Sequence, residues 1–274
     1  PNILQPLFKK FDIKPTYFLS PEVIDNSKCV DTLKHIKNEC ELGTHLHADY
    51  IEPERTFEYF DGKGTHAFQT DFSDEVEFQK LKNLTENFKN AFGCSPKVFR
   101  AGRYAANSNT IKSLTELGYN VDSSFTPHIR WESPIGSLID HRSSPEQPYF
   151  CNHSNIYKAS DAPLLEIPVT IIKGTKYLLM PKYLWFRPKF SSLREIKKII
   201  KYVKSTYANN ELIVLNMMFH SQEVIPNASP YTKTDSDVAS YMIFLEEVFN
   251  IAIQEDVTFS TLEEIYEAFK ASAS

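Results

Sequence analysis

Cysteine is scarce in this 274-residue sequence. There are four, Cys29, Cys40, Cys94 and Cys151, and no Cys-x-x-Cys pair. That excludes a disulfide scaffold and a cysteine-built structural zinc site. The thiols read as small core residues of a reducing compartment. No apolar run approaches the ~20 residues of a membrane span. Repeats and low-complexity tracts are absent, and so is any excess of positive charge. Lys plus Arg number 30 against 35 Asp plus Glu, for a formal charge of -5. Such a balance suits neither a reader of nucleic-acid backbones nor a binder of anionic membranes. The opening residues, Pro1 to Pro6, lack signal-peptide architecture. A cytoplasmic home is expected, with export left open because the sequence starts on Pro and not Met.

What is present is ordinary globular composition, 42% apolar and 24% charged. It suffices for one large domain with a real core. Short β-like runs alternate with amphipathic stretches. Ile3, Leu4, Leu7 and Phe8 have helical spacing, and residues 15–20 read as a strand. The helix over 30–40 leads into a strand over 41–45. Residues 73–92 keep Phe78, Leu81, Thr85, Phe88 and Phe92 on one helical face, and Gly93 stops the helix. Strand 97–101, helix 108–117 and strands 119–124 and 164–170 follow. Ser192-Leu193-Arg194-Glu195 is a capping box opening a helix that runs to Tyr207. Residues 212–219 read as an apolar strand, 237–254 as a helix and 257–260 as a last strand. A capped helix closes the chain.

Strand–helix alternation is the signature of a parallel sheet covered by helices. Seven strands are expected. The pattern opens on a helix, whereas a crossover helix normally follows a strand. An eighth, first strand is therefore expected upstream of Pro1, making a distorted (β/α) barrel of seven or eight strands. The irregular stretch 126–163 reads as an excursion on one domain spanning 1–274.

In such a barrel the chemistry sits at the C-terminal ends of the strands. Four expected strand ends carry polar groups. In Gly43-Thr44-His45-Leu46-His47-Ala48-Asp49, His45 and His47 alternate and face one side of an extended chain. If a turn starts at His45, Asp49 comes round to meet it instead. Imidazole plus carboxylate suits Zn²⁺ or a similar divalent ion. Phe99-Arg100-Ala101-Gly102-Arg103-Tyr104 offers two arginines that could orient a carboxylate or substrate oxygen. Val121-Asp122-Ser123-Ser124 ends a strand in a polar triplet. In Met217-Met218-Phe219-His220-Ser221 the histidine is a packed side chain or a general acid–base.

Taken in order, these stretches resemble the polysaccharide deacetylases of the NodB type (carbohydrate esterase family four). Within them the likeness is to the branch of the lipopolysaccharide-biosynthesis protein WalW. The 41–49 stretch is similar to the second family motif, 99–104 to the third, 118–124 to the fourth region and Phe219-His220-Ser221 to the fifth. Residues 258–262 resemble the family's last strand. Departures are Leu46, where the family has Ser or Thr, and Ala-Gly-Arg, where prolines are commoner. The first motif, an Asp-bearing strand end, has no counterpart in the sequence. The only similar string, Tyr59-Phe60-Asp61-Gly62, falls after the second motif and reads as coincidence.

The resemblance implies a metal-dependent hydrolase that removes acetyl groups from an N-acetylated sugar of a surface polysaccharide or lipopolysaccharide precursor. His45 with His47 or Asp49 would hold the metal, zinc first, with cobalt, manganese and nickel as alternatives. The absent first-motif Asp would be the base, and Arg100 would position a partner carboxylate. The Tyr104 backbone N–H would bind the oxyanion, Asp122 would stand in the fourth region, and His220 would protonate the departing amine. The expected partner is a glycan, with no nucleic acid and no membrane span. The other reading is an inactive barrel of this type that binds glycan or a partner protein. Trp131, Tyr149, Phe150, Tyr157, Trp185 and Phe186 are aromatics that could stack on sugar rings, although partly buried loop residues of this kind are common.

Overall fold

The computed structural model describes residues 1–56, 68–160, 162–174 and 182–272. Tyr59-Phe60-Asp61-Gly62 lies outside the described residues. The chain divides into two compact units. The smaller comprises Pro1–Lys14 and Val169–Ser260, the larger Pro15–Pro168 and Thr261–Ser274.

The chain opens on helix α1 (Leu4–Lys10), part of the smaller unit. The larger unit begins with strand β1 (Thr16–Leu19), followed by the short helix α2 (Pro21–Ile24) and by α3 (Ser27–Ile36). Pro21 starts α2 because a first-turn residue has no backbone N–H to satisfy. The Asn26 side chain caps α3 by accepting from the N–H groups of Lys28 and Cys29. Strand β2 (Glu41–Leu46) comes next. Helix α4 (Asp74–Phe92) is capped by Ser73, carries Asp74, Glu75 and Glu77 in its first turn, and ends at Gly93 with φ 77°. Acidic first turns and left-handed glycines complement the two ends of a helix. Strand β3 (Val98–Ala101), helix α5 (Ser108–Glu116) and strand β4 (Val121–Asp122) follow. The stretch expected to be irregular folds β5 (Arg130–Glu132) onto β6 (Leu138–Asp140) as an antiparallel pair. It then contributes β7 (Tyr149–Phe150) to the main sheet, antiparallel to β8 (Leu165–Glu166).

The main sheet has the order β1-β2-β3-β4-β8-β7. Its first five strands are parallel. This is the expected α/β architecture. The sheet is open, and no barrel closes among the described residues. Leu81, Leu84 and Phe88 of α4 and Ile111 and Leu114 of α5 pack with Phe99 and Ala101 of β3 in a buried core. Each large apolar side chain so buried contributes about 1.5–3 kcal/mol. The parallel strands thus hold one edge in place, the edge at which their C-terminal ends emerge.

The smaller unit pairs β9 (Ile171–Gly174) with β10 (Lys182–Trp185), antiparallel. Helix α6 (Leu193–Thr206) opens on the expected capping box of Ser192 and Glu195. Helix α7 (Asp235–Gln254) is capped by Thr234 and Asp237. Ile172, Leu184, Ile196, Ile199, Ile200, Val203, Val248 and Ile251 form the core. Phe8 and Phe11 pack on Phe249 at 6.1 and 5.5 Å. Helix α8 (Leu262–Ser272) returns to the larger unit. There Glu41 of β2 accepts from the Leu262 and Glu263 N–H groups at 3.0 and 2.9 Å, an anion at a helix N-terminus.

Two expected strands do not form. Residues 212–219 and 257–260 carry no strand pairing. Ile213, Leu215 and Met217, half-buried, still pack against the smaller core, so the apolar run records packing and not strand pairing. At Asn216 the backbone N–H goes to Thr170 Oγ1 at 2.8 Å, so a hydroxyl takes the place of a ladder carbonyl. Cys94 is exposed, unlike the core cysteine expected, and all four thiols are free. No helix among the described residues is long and apolar enough to cross a membrane.

Candidate active site

Strand β2 and the residue after it bring two histidines, His45 and His47, to the C-terminal edge of the sheet. Their rings lie 4.8 Å apart, edge to face at 65°. His45 Nδ1 is 2.8 Å from the carbonyl oxygen of Arg100, its register partner on β3. A carbonyl only accepts, so Nδ1 carries the proton and Nε2 the lone pair. His47 Nδ1 is 2.8 Å from Glu22 Oε1, which selects the same tautomer. Burial works against the charge of Glu22, but hydrogen bonds, that of His47 first, outweigh it and hold the carboxyl below its ordinary range. Imidazoles whose Nδ1 protons are tied to a carbonyl and a carboxylate are the usual setting of metal-binding histidines.

The backbone around the pair is fixed from two sides. Gly102 closes against the end of β2, where a Cβ would meet the Leu46 carbonyl oxygen at 2.2 Å. Lys80, fully buried on α4, points its ammonium into the loop after His47. It donates to the carbonyls of Ala48 at 2.8 Å, Ile51 at 2.7 Å, Glu54 at 3.2 Å and Pro53. The Phe72 ring lies 4.2 Å from the same nitrogen. A buried lysine needs such compensation, and here it binds residues 48–54 to the core.

Asp49 sits on the short turn Ala48–Tyr50. No three His, Cys, Asp or Glu side chains converge in a group able to hold a metal ion among the described residues. Imidazole nitrogens are donors of the kind a divalent ion takes, and two of them meet at His45 and His47. A pocket of about 350 Å³ lined by Glu22, Asp25, Asn26, Tyr50 and Arg55 lies beside Glu22.

Arg100 is buried, with its guanidinium 4.5 Å over the Phe18 ring. Its Nε donates to Ser123 O at 2.8 Å and a terminal nitrogen to Ser123 Oγ at 2.7 Å. Asp122 is the register partner of Glu166 on β8, and both are fully buried. Ser124 Oγ donates to Asp122 Oδ1, and the Phe125 N–H donates to Glu166 Oε1 at 2.9 Å. Asp122 Oδ2 and Glu166 Oε2 have no other donor. A proton shared between the carboxyls satisfies both. Burial accordingly pushes Asp122 up to about 6 and Glu166 well above the carboxylate range. Arg103 and Tyr104 occupy left-handed backbone at φ 52° and 60°. The Tyr104 ring stacks on Trp131 at 5.7 Å.

His220 belongs to the smaller unit. Its Nδ1 is 3.1 Å from Glu223 Oε1, and its side chain is 52% exposed. Glu223 also accepts from Arg187 at 2.9 Å and from the Tyr241 hydroxyl at 2.7 Å. Burial opposes its charge, but the hydrogen bonds of His220 and Tyr241 and the charge of Arg187 hold its carboxyl low. The structure therefore brings His45 and His47 together, with Arg100 touching His45 through its carbonyl. It seals Asp122 beside Glu166.

Sequence reading missed Glu22, Lys80, Glu166, Arg187 and Glu223. Glu166 and Glu223 carried a signal, a lone acid in an apolar strand and an acid three residues after a histidine. Glu22 follows the end of β1 and belonged with the other polar strand ends. Lys80 gave none, because lysines on a helix read as solvated.

No family model and no curated protein matches the sequence. Solved structures do match. A polysaccharide deacetylase from Mycobacterium smegmatis aligns with 99% of this chain and 77% of its own, at 16% identity and a TM-score of 0.53. Puue allantoinase aligns with 98% of this chain and 71% of its own, at 15% identity and a TM-score of 0.56. A polysaccharide deacetylase from Pseudomonas aeruginosa PAO1 covers 96% and 70%, at 14% identity and a TM-score of 0.53. At these identities the shared feature is the fold, and the neighbours' names already span more than one chemistry.

Proposed function

We propose that this protein is a metal-dependent hydrolase that removes acetyl groups from an N-acetylated sugar. The observation that carries the reading is the tautomer-fixed pair His45 and His47 at the C-terminal edge of a parallel sheet. The fold it shares with two polysaccharide deacetylases supports the substrate class. On this reading residues 1–274 act as one deacetylase domain, and a surface polysaccharide or lipopolysaccharide precursor is the source of the sugar.

His45 and His47 would hold the ion, zinc first, through Nε2, with Asp49 the nearest acid in sequence to complete the set. When bound, a divalent ion supplies a Lewis acid and lowers the pKa of water. The chain's own residues do the rest. Glu22 and the Arg100 carbonyl keep each Nδ1 protonated and each ring in place. Lys80 holds the loop that carries Asp49. The Tyr104 N–H donates to the amide oxygen as charge builds there. Asp122 and Glu166 hold one proton under the edge and balance the Arg100 guanidinium. In the smaller unit, His220 has the chemistry of a proton donor at Nε2, with Glu223 accepting from Nδ1.

The test is acetate release from N-acetylglucosamine oligomers by the full-length gene product with added zinc. The reading expects release that H45A and H47A abolish and that chelation reverses. Release that survives H45A, or its absence with every divalent metal tried, contradicts it.

A further inference from the structure

The turn after β3 is strained at two successive positions. Arg103 and Tyr104 have φ 52° and 60°, and no other two consecutive non-glycine residues among the described ones are left-handed. Such backbone is unfavourable for residues with a Cβ and persists only where the surroundings over-determine it. The Tyr104 N–H lies in the peptide plane that joins the two residues. Its direction is therefore set by ψ of Arg103, 22°, and φ of Tyr104. Return of either residue to right-handed backbone would swing that N–H away.

Both ends of the turn are closely packed. At its start Gly102 sits against the Leu46 carbonyl, with no room for a Cβ. At its end Ala105 and Ala106 are buried, and Ala105 clusters with Phe68, Ile139 and Trp131. The Ala105 N–H donates to the Gly102 carbonyl and the Ala106 N–H to the Tyr104 carbonyl, each at 3.1 Å. Between these ends the Tyr104 side chain is the handle, and Trp131 takes it. The two rings stack, centroids 5.7 Å apart and planes within 21°.

Trp131 is itself fixed. Its indole N–H donates to Thr126 Oγ1 at 2.8 Å. The Thr126 N–H and hydroxyl both donate to His141 Nδ1, each at 3.1 Å. Burial pushes His141 down to about 4, so Nδ1 keeps its lone pair at neutral pH. Ile139, the register partner of Trp131 on β6, is buried in the same cluster. The Tyr157 hydroxyl donates to the carbonyl of neighbouring Asp140 at 2.7 Å. The excursion over 126–163 is thus a frame that presents Trp131 to the turn. Tyr104 covers one face of that ring, which sets Trp131 apart from a ring open to a sugar.

We infer that Trp131 is a positioning residue, which by stacking on Tyr104 fixes the direction of the Tyr104 N–H. The use of that N–H, to hold the amide oxygen as charge builds, rests on the proposed function. The grip of Trp131 on the turn is read separately.

Two measurements on the intact protein keep the inference and the proposed function apart. In the first, the protein is labelled with ¹⁵N-tyrosine, and the Tyr104 amide resonance is assigned by its loss in Y104F. W131L keeps apolar volume and loses the ring, and is expected to shift that resonance. W131F keeps a ring and is expected to leave the resonance near its native position. The second is acetate release from N-acetylglucosamine oligomers with added zinc. W131L is expected to lower kcat about 100-fold, the loss typical of one missing oxyanion donor, with KM and zinc content unmoved. W131F is expected to recover most of kcat. T126V, which removes only the acceptor of the indole, is expected to lose less than W131L does. Circular dichroism checks that each variant is folded, and if W131L is not, T126V decides by the same two readouts. A Tyr104 resonance unmoved in W131L overturns the inference whatever the activity. A rise in KM with kcat unchanged also overturns it, since that marks a ring that binds substrate. A moved resonance in a protein whose native form releases no acetate keeps the grip on Tyr104 and removes the deacetylase.

Discussion

Two polar clusters stand on the same edge of the same sheet, and they differ in access to water. Just after β2 the imidazole of His47 is 39% exposed, and His45 and His47 are each pinned at Nδ1. On β4 and β8 Asp122 and Glu166 have no exposure and face each other. The first cluster holds two imidazoles, each fixed through its Nδ1. The second spends its capacity inside the fold, on Ser124, the Phe125 N–H and a shared proton. A polar residue at the end of a parallel strand is thus a candidate for chemistry only when the fold leaves it in reach of water.

The comparison can be strained at three points. The largest effect is expected at Lys80, which secures the accessible side. Lys80→Met leaves the buried carbonyls of Ala48 and Ile51 without their donor and should cost about 1–3 kcal/mol for each. Denaturant unfolding measures the loss, and amide exchange should rise first in residues 48–54. Unchanged stability would mean that the cage does not hold that loop.

Asp122→Asn probes the sealed side. The native carboxyl titrates near 6 against an ordinary 3.8. The fold therefore favours the protonated acid. Its contribution is complete below about pH 4 and is lost as pH rises through 6. The asparagine variant cannot ionise, so its stability relative to the native protein should rise between pH 4 and pH 6, by on the order of 2–3 kcal/mol. A difference that stays flat across that window would show the pair titrating like exposed acids.

Glu22→Gln tests the pinning of the accessible pair. Losing a carboxylate behind a ligating histidine typically costs about 10–100-fold in metal affinity. Zinc titration against a competing chelator should show this loss with little change in thermal stability. Equal affinity would detach Glu22 from any metal role.

Much of the fold was legible in the sequence because it is local. The caps Ser73 and Ser192 with Glu195, the stop at Gly93 and the stripes of α4 and α6 stand within single turns. Strand pairing is not local. Residues 212–219 have a strand's apolar pattern, yet Thr170 Oγ1 takes the N–H at Asn216. Tyr149 and Phe150 looked irregular and joined the sheet because β8 offered an edge. The site divides in the same way. His45 on β2 and His47, still extended just after it, stand two apart, so their juxtaposition follows from alternation. Glu22 is brought to His47 by the pairing of β1 with β2, and Glu166 to Asp122 by the pairing of β4 with β8. Neither partner could be found from spacing along the chain.

The central claim is that His45 and His47 together hold a divalent ion. Elemental analysis of the protein after zinc loading and desalting tests it most directly. The account predicts one equivalent of zinc in the native protein and none in His45→Ala. The same zinc content in both proteins would contradict it.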